Sequence, residues 1–438
     1  MWHEILFRVL SIINYIILII IAIPLLIQVL YVLFAWIKKK TFPKSDKKAK
    51  IAYLIPAFNE ESVIYNTVKE CLDKQDYPKE LFDVFVVANN CTDKTAELAE
   101  KAGAKVLILN DPDPTHRMAL YPLKYGVDYI LKTNNYDMII HLDADNHLNA
   151  EYSSLMNDAY QTGIDFARPY EGSLNATQNF YTKACTLFYS FDSRYGSRVR
   201  ERLNIAAHIN GSGAMMSTRM LNKCGGYDAK TISDDAEFNF NRMLEGYKGH
   251  YIEDAVVYED APSSFKDTVN RNKRIFNGGV KLLKDKLIKM LGKFFVTGRI
   301  SYIEMFMSYI FIFITVVVCT WFPAYYIYHF VYLALISNGV ITTMIMNVSY
   351  YTNLMWNTLI VGGSILVALF LLFGVLQGFI LVFSDYKKMG AKSPKEMISG
   401  AILFPAFLAV YVVTLCYGAF AKKGGWDKIK RNVKHERK

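Results

Sequence analysis

The sequence predicts an α/β domain built on a parallel sheet and joined to apolar helices. Two patterns carry this: apolar strands alternate with amphipathic helices between residues 51 and 143, and long apolar runs flank that polar region on both sides. The composition agrees. Of 438 residues, 52% are hydrophobic and 21% charged, which suits a polar domain attached to membrane segments better than either alone.

The first apolar run, Leu10 to Trp36, is long enough to span a bilayer and closes on Lys38, Lys39 and Lys40. It exceeds the apolar part of a signal peptide, and no small-residue cleavage site follows. The lysines place its C-terminal end in the cytosol. IAYLIPAF (51–58) then reads as a buried strand, ESVIYNTVKECLDKQ as a helix and FDVFVVA (82–88) as a second strand. CTDKTAELAEKAG (91–103) is a helix with a glycine stop, KVLIL a third strand and DMIIHLD (137–143) a fourth. In parallel sheets of this kind ligands bind beyond the carboxyl ends of the strands.

KLLKDKLIKMLGKFF, Lys281 to Phe295, alternates lysine with apolar residues at helical spacing and is expected in the headgroup plane. Apolar blocks follow at 303–337, 355–384 and 396–420. Lysines 387, 388, 392 and 395 and the basic tail place both sides of the last block in the cytosol. Either that block, interrupted by Pro405, is re-entrant or interfacial, or the first, interrupted by Trp321-Phe322-Pro323, makes two short spans. The expected organisation is an N-terminal transmembrane helix with basic flank (1–40), a cytosolic domain (41–280), an interfacial helix (281–300), a transmembrane region (301–420) and a basic tail (421–438).

The net charge of +10 collects at the edges of apolar segments, which favours anionic lipids over nucleic acid as its counterpart. The six cysteines show no CxxC pair, so neither a zinc site nor a disulfide framework is expected. Apart from Glu304 near the start of the first, none of these apolar blocks carries an internal charged cluster, which argues against a plain transporter.

The strand ends are polar: Pro56-Ala57-Phe58-Asn59-Glu60, Asn89-Asn90-Cys91-Thr92-Asp93 and Asp143-Ala144-Asp145. Two carboxylates at i and i+2 at a strand end can share a hard divalent cation and a diphosphate. His147 is a candidate further ligand. Ser233-Asp234-Asp235-Ala236-Glu237 reads as a helix start, with Ser233 at the N-cap and acids favouring the dipole. Helix capping alone leaves unexplained the HINGSG segment (208–213) before it and RNKRIFNGG (271–279) after it. Together these describe a metal, a base and cations for a leaving phosphate.

The ordered set PAFNE (56–60), NNCTD (89–93), DAD (143–145), NGSGAMMS (210–217), GGYD (225–228), SDDAEF (233–238) and EGYKGHYIEDAVVYEDAPSSF (245–265) resembles the membrane-embedded, inverting family-2 glycosyltransferases, the group of cellulose, hyaluronan and poly-N-acetylglucosamine synthases. The resemblance implies an α/β GT-A (Rossmann-like) cytosolic domain combined with an α-helical transmembrane domain. It implies Mg2+ or Mn2+ at Asp143 and Asp145, with Asp235 as general base. Donor contacts would come from Pro56, Ala57, Asn59, Glu60, Asn89, Asp93, Arg117, Asp143 and Arg274. Acceptor contacts would come from Gly211, Ser212, Gly213, Asp234, Arg271, Ile275 and Phe276.

Three positions depart from the family pattern. Asn89 stands where an acid is usual, and His116-Arg117 where a lysine is usual. The QxxRW tail reads Arg271-Asn272-Lys273-Arg274-Ile275, so its tryptophan is missing, and residues 41–300 contain none; Phe276 is the nearest aromatic. The expected activity is a multi-pass hexosyltransferase of the bacterial plasma membrane. It would use a UDP-hexose or UDP-N-acetylhexosamine to build and translocate a β-linked polysaccharide. The alternatives are single transfer to a lipid-linked acceptor, or a pseudo-transferase subunit. Expected partners are the nucleotide sugar, a carbohydrate or lipid-linked acceptor, membrane lipids and accessory export proteins, with no nucleic acid.

Overall fold

In the computed structural model, residues 2–113, 116, 118–340 and 348–420 are described. The chain opens with α1 (Trp2–Phe34), apolar on every side, whose Ile19, Leu26 and Leu33 stay largely exposed. β1 (Ile51–Ala57), α2 (Ile64–Lys74), β2 (Phe82–Asn89), α3 (Thr95–Ala102), β3 (Lys105–Leu109) and β4 (Met138–His141) follow the predicted elements, and α4 (Leu120–Thr133) adds a helix between β3 and β4 that the sequence reading did not name. β5 (His147–Leu148), α5 (Tyr152–Gln161), β6 (Phe166–Ser173), α6 (Phe180–Phe191), α7 (Arg198–Arg202), β7 (Met215–Ser217), α8 (Thr218–Cys224), α9 (Asp234–Leu244) and β8 (His250–Glu259) complete the polar region.

The strands form one eight-stranded sheet in the order β3-β2-β1-β4-β7-β6-β8-β5. β1 to β4 are parallel, as the crossover helices require, but β7 pairs antiparallel with both β4 and β6. The sheet is therefore mixed, where the sequence suggested a parallel one. Alternate residues of β1 explain its burial. Tyr53 and Ile55 enter a core shared with α2, α3 and α5, while Ala52 and Leu54 enter one shared with α4, α8 and α9. Burying such a side chain contributes about 1.5–3 kcal/mol. α4 rides close to the sheet because Gly126 faces it; a Cβ there would come within 2.4 Å of Leu54 Cδ1.

α10 (Phe265–Leu282) continues through one π turn (Leu283–Leu287) into α11 (Ile288–Thr297). Gly278 and Gly279 lie inside α10, so the expected boundary at 280/281 corresponds to no break in the helix. Two glycines cost about 1 kcal/mol each relative to alanine, too little to break a helix that packs on the helix over Ile398–Phe420. α12 (Ile300–Ser337) runs uninterrupted through Pro323, so the first apolar block is one helix and not two short spans. α13 (Val348–Phe370) passes through a π turn into α14 (Gln377–Met389), and α15 (Ile398–Phe420) passes through Pro405.

Among the described residues, two helical stretches are long and apolar enough to cross a membrane, Arg8–Phe34 and Pro394–Thr414. The end of α1 (Tyr31, Ala35), α6 (Ala184, Leu187), α14 (Leu381, Val382) and α15 (Phe404, Phe407) share one apolar core, which ties the outer helices to the sheet domain.

Candidate active site

Two asparagines in left-handed backbone, Asn59 (φ 55°) and Asn90 (φ 50°), turn the chain after β1 and β2. The two loops are stapled together. Asn59 Oδ1 accepts the Thr92 N–H at 2.8 Å, and the Glu60 N–H donates to Thr95 Oγ1 at 2.7 Å. Asp93 accepts the Thr95 N–H at 3.0 Å and the Glu61 N–H at 3.2 Å. Asn89 is buried and its Oδ1 accepts from Asn90 Nδ2 at 3.1 Å. Pro56 and Ala57 lie beside Val87 and Ala88 in register. Pro56, Ala57, Asn59, Glu60, Asn89 and Asp93 thus share one rim, and the side chains of Asn59 and Asp93 hold that rim together. Arg117 lies outside the described residues.

Beyond β4 the Asp143 N–H donates to Asn146 Oδ1 at 2.8 Å, a tight turn that presents Asp143 and Asp145. The Asp143 side chain is 45% exposed, whereas Asp145 is buried. Opposite them runs the loop 210–214, sewn to β4 by the His141 N–H to the Ala214 carbonyl (3.0 Å) and the Gly213 N–H to the His141 carbonyl (2.8 Å). Ser212 Oγ donates to Asp143 Oδ2 at 2.7 Å, and the Gly211 N–H donates to Asp235 Oδ2 at 3.2 Å. Two successive loop residues therefore hold two different carboxylates. Gly213 has φ +70°, and a Cβ there would lie 2.7 Å from Pro169 Cγ and 2.9 Å from the Tyr152 hydroxyl. The Tyr152 hydroxyl donates to the Gly213 carbonyl. Beneath the loop, burial holds the His141 imidazole below its usual range and outweighs the charges of Asp143 and Asp235, so the ring is neutral.

Asp235 opens α9. The Ser233 hydroxyl makes no cap bond; Asp235 Oδ1 takes the Ala236 N–H instead, at 2.7 Å. Tyr227 donates to Asp234 Oδ2 at 3.1 Å. Burial, and then the adjacent charge of Asp235, push the Asp234 carboxyl above the usual range.

Arg271, on α10, donates to Glu259 Oε1 at 2.9 Å and lies 4.8 Å from the Tyr189 ring centre. Glu259 Oε2 is 3.3 Å from Ser212 Oγ. Arg271 thus reaches the loop through Glu259. Ile275 is half-buried on the same helix, and the side chains of Arg274 and Phe276 lie outside those described.

Two further anchors escaped the sequence reading. Fully buried Arg168 donates to Glu171 at 2.9 Å and to Asp192 at 2.7 Å, and Asn210 donates to Glu171 at 2.7 Å. The start of the loop therefore rests on a buried ion-paired group. Glu259 was legible as an acid ending a strand, as Asp143 does; Arg168 and Glu171 were not, because they sit within a strand buried along its whole length.

His147 has a partner on a neighbouring helix. It begins β5, and its Nδ1 lies 2.6 Å from Glu70 Oε2 on α2. Burial would raise Glu70, yet the bonds from His147 and Lys74 hold it down at about 2. Among the described residues no three His, Cys, Asp or Glu side chains gather as a preformed set, and the Glu70 contact engages Nδ1 of His147 alone. Two hard carboxylates still fit a Mg2+- or Mn2+-type ion whose remaining ligands are water and substrate phosphate.

The profile of "Glycosyl transferase family group 2" matches residues 138–415. A relative named "Probable glycosyltransferase YdaM", from Bacillus subtilis, is 26% identical over 262 residues, covering 57% of this chain and 59% of that protein. A "Beta-monoglucosyldiacylglycerol synthase" from a Nostoc species is 23% identical over 240 residues, covering 54% and 50%. The chain thus matches only about half to three-fifths of the length of these relatives. The solved structure of the mannosyltransferase PcManGT from Pyrobaculum calidifontis, in complex with GDP-Man and Mn2+, superposes with a TM-score of 0.51 at 13% identity, over 92% of this chain and 98% of that one. That likeness establishes the fold, a mixed sheet with the Rossmann-like core of GT-A glycosyltransferases.

Proposed function

This chain belongs to glycosyl transferase family group 2, and we propose that it moves a hexose from a nucleotide-sugar donor to an acceptor hydroxyl with inversion. One observation carries the reading: residues 211 and 212 bond Asp235 and Asp143 respectively, so one rigid loop sets the separation of the two acids. Asp143 and Asp145 would hold Mg2+ or Mn2+, which when bound neutralises the departing diphosphate. Asp235 is the general base. It takes the proton of the acceptor hydroxyl while that oxygen bonds the anomeric carbon and the bond to the diphosphate breaks. Beside Asp235, the Asp234 carboxyl is biased toward its neutral form by burial. The rim from Pro56 to Glu60 with Asn89 and Asp93 borders the nucleoside, and Arg117 and Arg274 are assigned to the phosphates by resemblance. Gly211, Ser212 and Gly213 border the acceptor, and Asp234, Arg271, Ile275 and Phe276 are assigned to it by resemblance.

We place a lipid-linked acceptor and a single transfer ahead of polymer synthesis. The Glu259–Arg271 side of the site leans on Tyr189 of α6, and α6 and α10 both pack on apolar α15, where Asn272 donates to Thr414 Oγ1 at 2.7 Å. An acceptor with an apolar chain finds its surroundings there, with α1 and α15 in the bilayer and the transfer site on its cytosolic side. The relative named as a glycolipid synthase fits that order. The long apolar helices keep a polymer-translocating enzyme as the second reading, with accessory export proteins as its partners.

The test is product mass from detergent-purified protein given UDP- and GDP-sugars, Mn2+ and diacylglycerol. A lipid carrying one hexose is expected, with transfer falling about 100- to 10,000-fold in Asp235→Asn. Long glycan chains would overturn the single-transfer assignment, and full activity of Asp235→Asn would overturn the base.

A further inference from the structure

Away from the transfer site, a cavity of about 510 Å³ opens where α9, the segment after α7 and the elbow between α11 and α12 meet. Its lining includes Asn204, Gly246, Lys248, Arg299 and Ser301. Both cations have neutral partners. Lys248 Nζ donates to Asn204 Oδ1 at 2.6 Å, and Arg299 Nη1 to the Gly246 carbonyl at 3.4 Å. Among the described residues that line the cavity none is acidic, and Glu201, outside the lining, is the carboxylate that acts on Lys248. Arg299 also occupies the N-cap of the 38-residue α12 and makes no side-chain cap bond, so the positive end of that helix faces the same space. The rim continues into Phe295 (77% exposed), Val296 (84%) and Ile300 (62%). A cationic cavity thus abuts an exposed apolar ridge at the foot of a long apolar helix.

We propose that this elbow binds one anionic phospholipid, its headgroup phosphate between Lys248 and Arg299 and its acyl chains along Phe295, Val296 and Ile300. The proposal does not depend on the sugar-transfer reading, because none of these residues touches the transfer site. A free phosphate would use the two cations and the helix end but gain nothing from the ridge, so the two sources separate by competition. Charge complementarity and the adjoining apolar surface together favour the lipid.

The experiment uses the full chain in neutral-detergent micelles with short-chain phosphatidylglycerol, phosphatidylcholine or inorganic phosphate as probes, read by native mass spectrometry. The expected result is one phosphatidylglycerol retained over phosphatidylcholine. Selectivity should fall about fivefold in Lys248→Gln or Arg299→Gln and roughly 25-fold in the double variant. Inorganic phosphate at millimolar concentration should not displace the lipid. Retained selectivity in the double variant would overturn the site, and full displacement by inorganic phosphate would make it a small-anion site. A photoactivatable phosphatidylglycerol on the unaltered chain supplies a readout free of folding effects. Label within 246–248 and 295–302 is expected, and label only elsewhere would refute the assignment.

Discussion

Gly213→Ala separates backbone cost from collision. Gly213 and Gly163 both hold left-handed backbone, at φ +70° and +94°, so an alanine at either meets the same conformational penalty, about 1–2 kcal/mol. They differ in space. A Cβ at Gly163 meets nothing within 4 Å, whereas at Gly213 it meets Pro169 Cγ at 2.7 Å and the Tyr152 hydroxyl at 2.9 Å. Pro169 lies within β6, and the Tyr152 hydroxyl is bonded to the Gly213 carbonyl, so neither can yield cheaply. Overpacking of this kind adds about 1–3 kcal/mol. At about 2–4 °C per kcal/mol for a domain of this size, Gly213→Ala should melt roughly 2–12 °C below Gly163→Ala in the same detergent. Relief by shifting the loop would move the Gly211 N–H from Asp235 and the Ser212 hydroxyl from Asp143, and a 1 Å misplacement costs about 100-fold in rate. Thermal unfolding and initial transfer rates are measured on both variants. Equal melting with equal rates would mean that the loop has room to spare and does not set the separation of the two acids.

Two pH profiles and one substitution follow from the same geometry. Glu70 sits at about 2 in the folded chain against 4.5 as a free side chain, so the stability it contributes is present above pH 4.5 and lost as pH falls toward 2. Glu70→Gln should flatten chemical unfolding across that window while leaving the dependence of transfer on Mn2+ unchanged. Asp234 is shifted the other way: its proton is bound more tightly in the folded chain, so its contribution is present at low pH and lost as pH rises above the usual carboxylate range. Asp234→Asn should remove that slope in urea titrations between pH 4 and 7. Arg271→Lys keeps the charge but loses the planar stacking on Tyr189 and the forked reach to Glu259, and is expected to lower transfer about tenfold without a matching loss of nucleotide affinity in calorimetry.

The parts of the fold and site that were legible share a cause. β1, β2 and β4 are apolar runs buried on both faces and punctuated by helices, so periodicity and strand-end chemistry expose them. The Asp143–Asp145 pair and the glycine loop stood out because a polar strand end and a left-handed turn leave local signatures. β5 and β7 did not, being two and three residues long, too short for any period. Arg168 and Glu171 carried no local signal, and only the fold places both indoors. His147 looked available beside two aspartates, and only the packing of α2 against the sheet revealed Glu70 as its partner.

Burying Arg168 and Glu171, with Asp192 half-buried beside them, is a poor way to stabilise a protein, since desolvation consumes most of the attraction between the charges. What the arrangement does supply is orientation: Glu171 fixes Asn210, and Asn210 begins the loop that holds Asp235 and Asp143. The same network extends outward. Asp192 lies 3.8 Å from Arg200, which donates to Glu304 of α12 at 2.8 Å, and His208, two residues before Asn210, is 3.2 Å from Glu304. The foot of the longest apolar helix and the start of the loop are therefore held by one set of ion pairs. Any displacement of α12 against the sheet must break the Arg200–Glu304 pair or carry the loop with it. The first costs several kcal/mol at a buried site, so the loop and the helix move as one body.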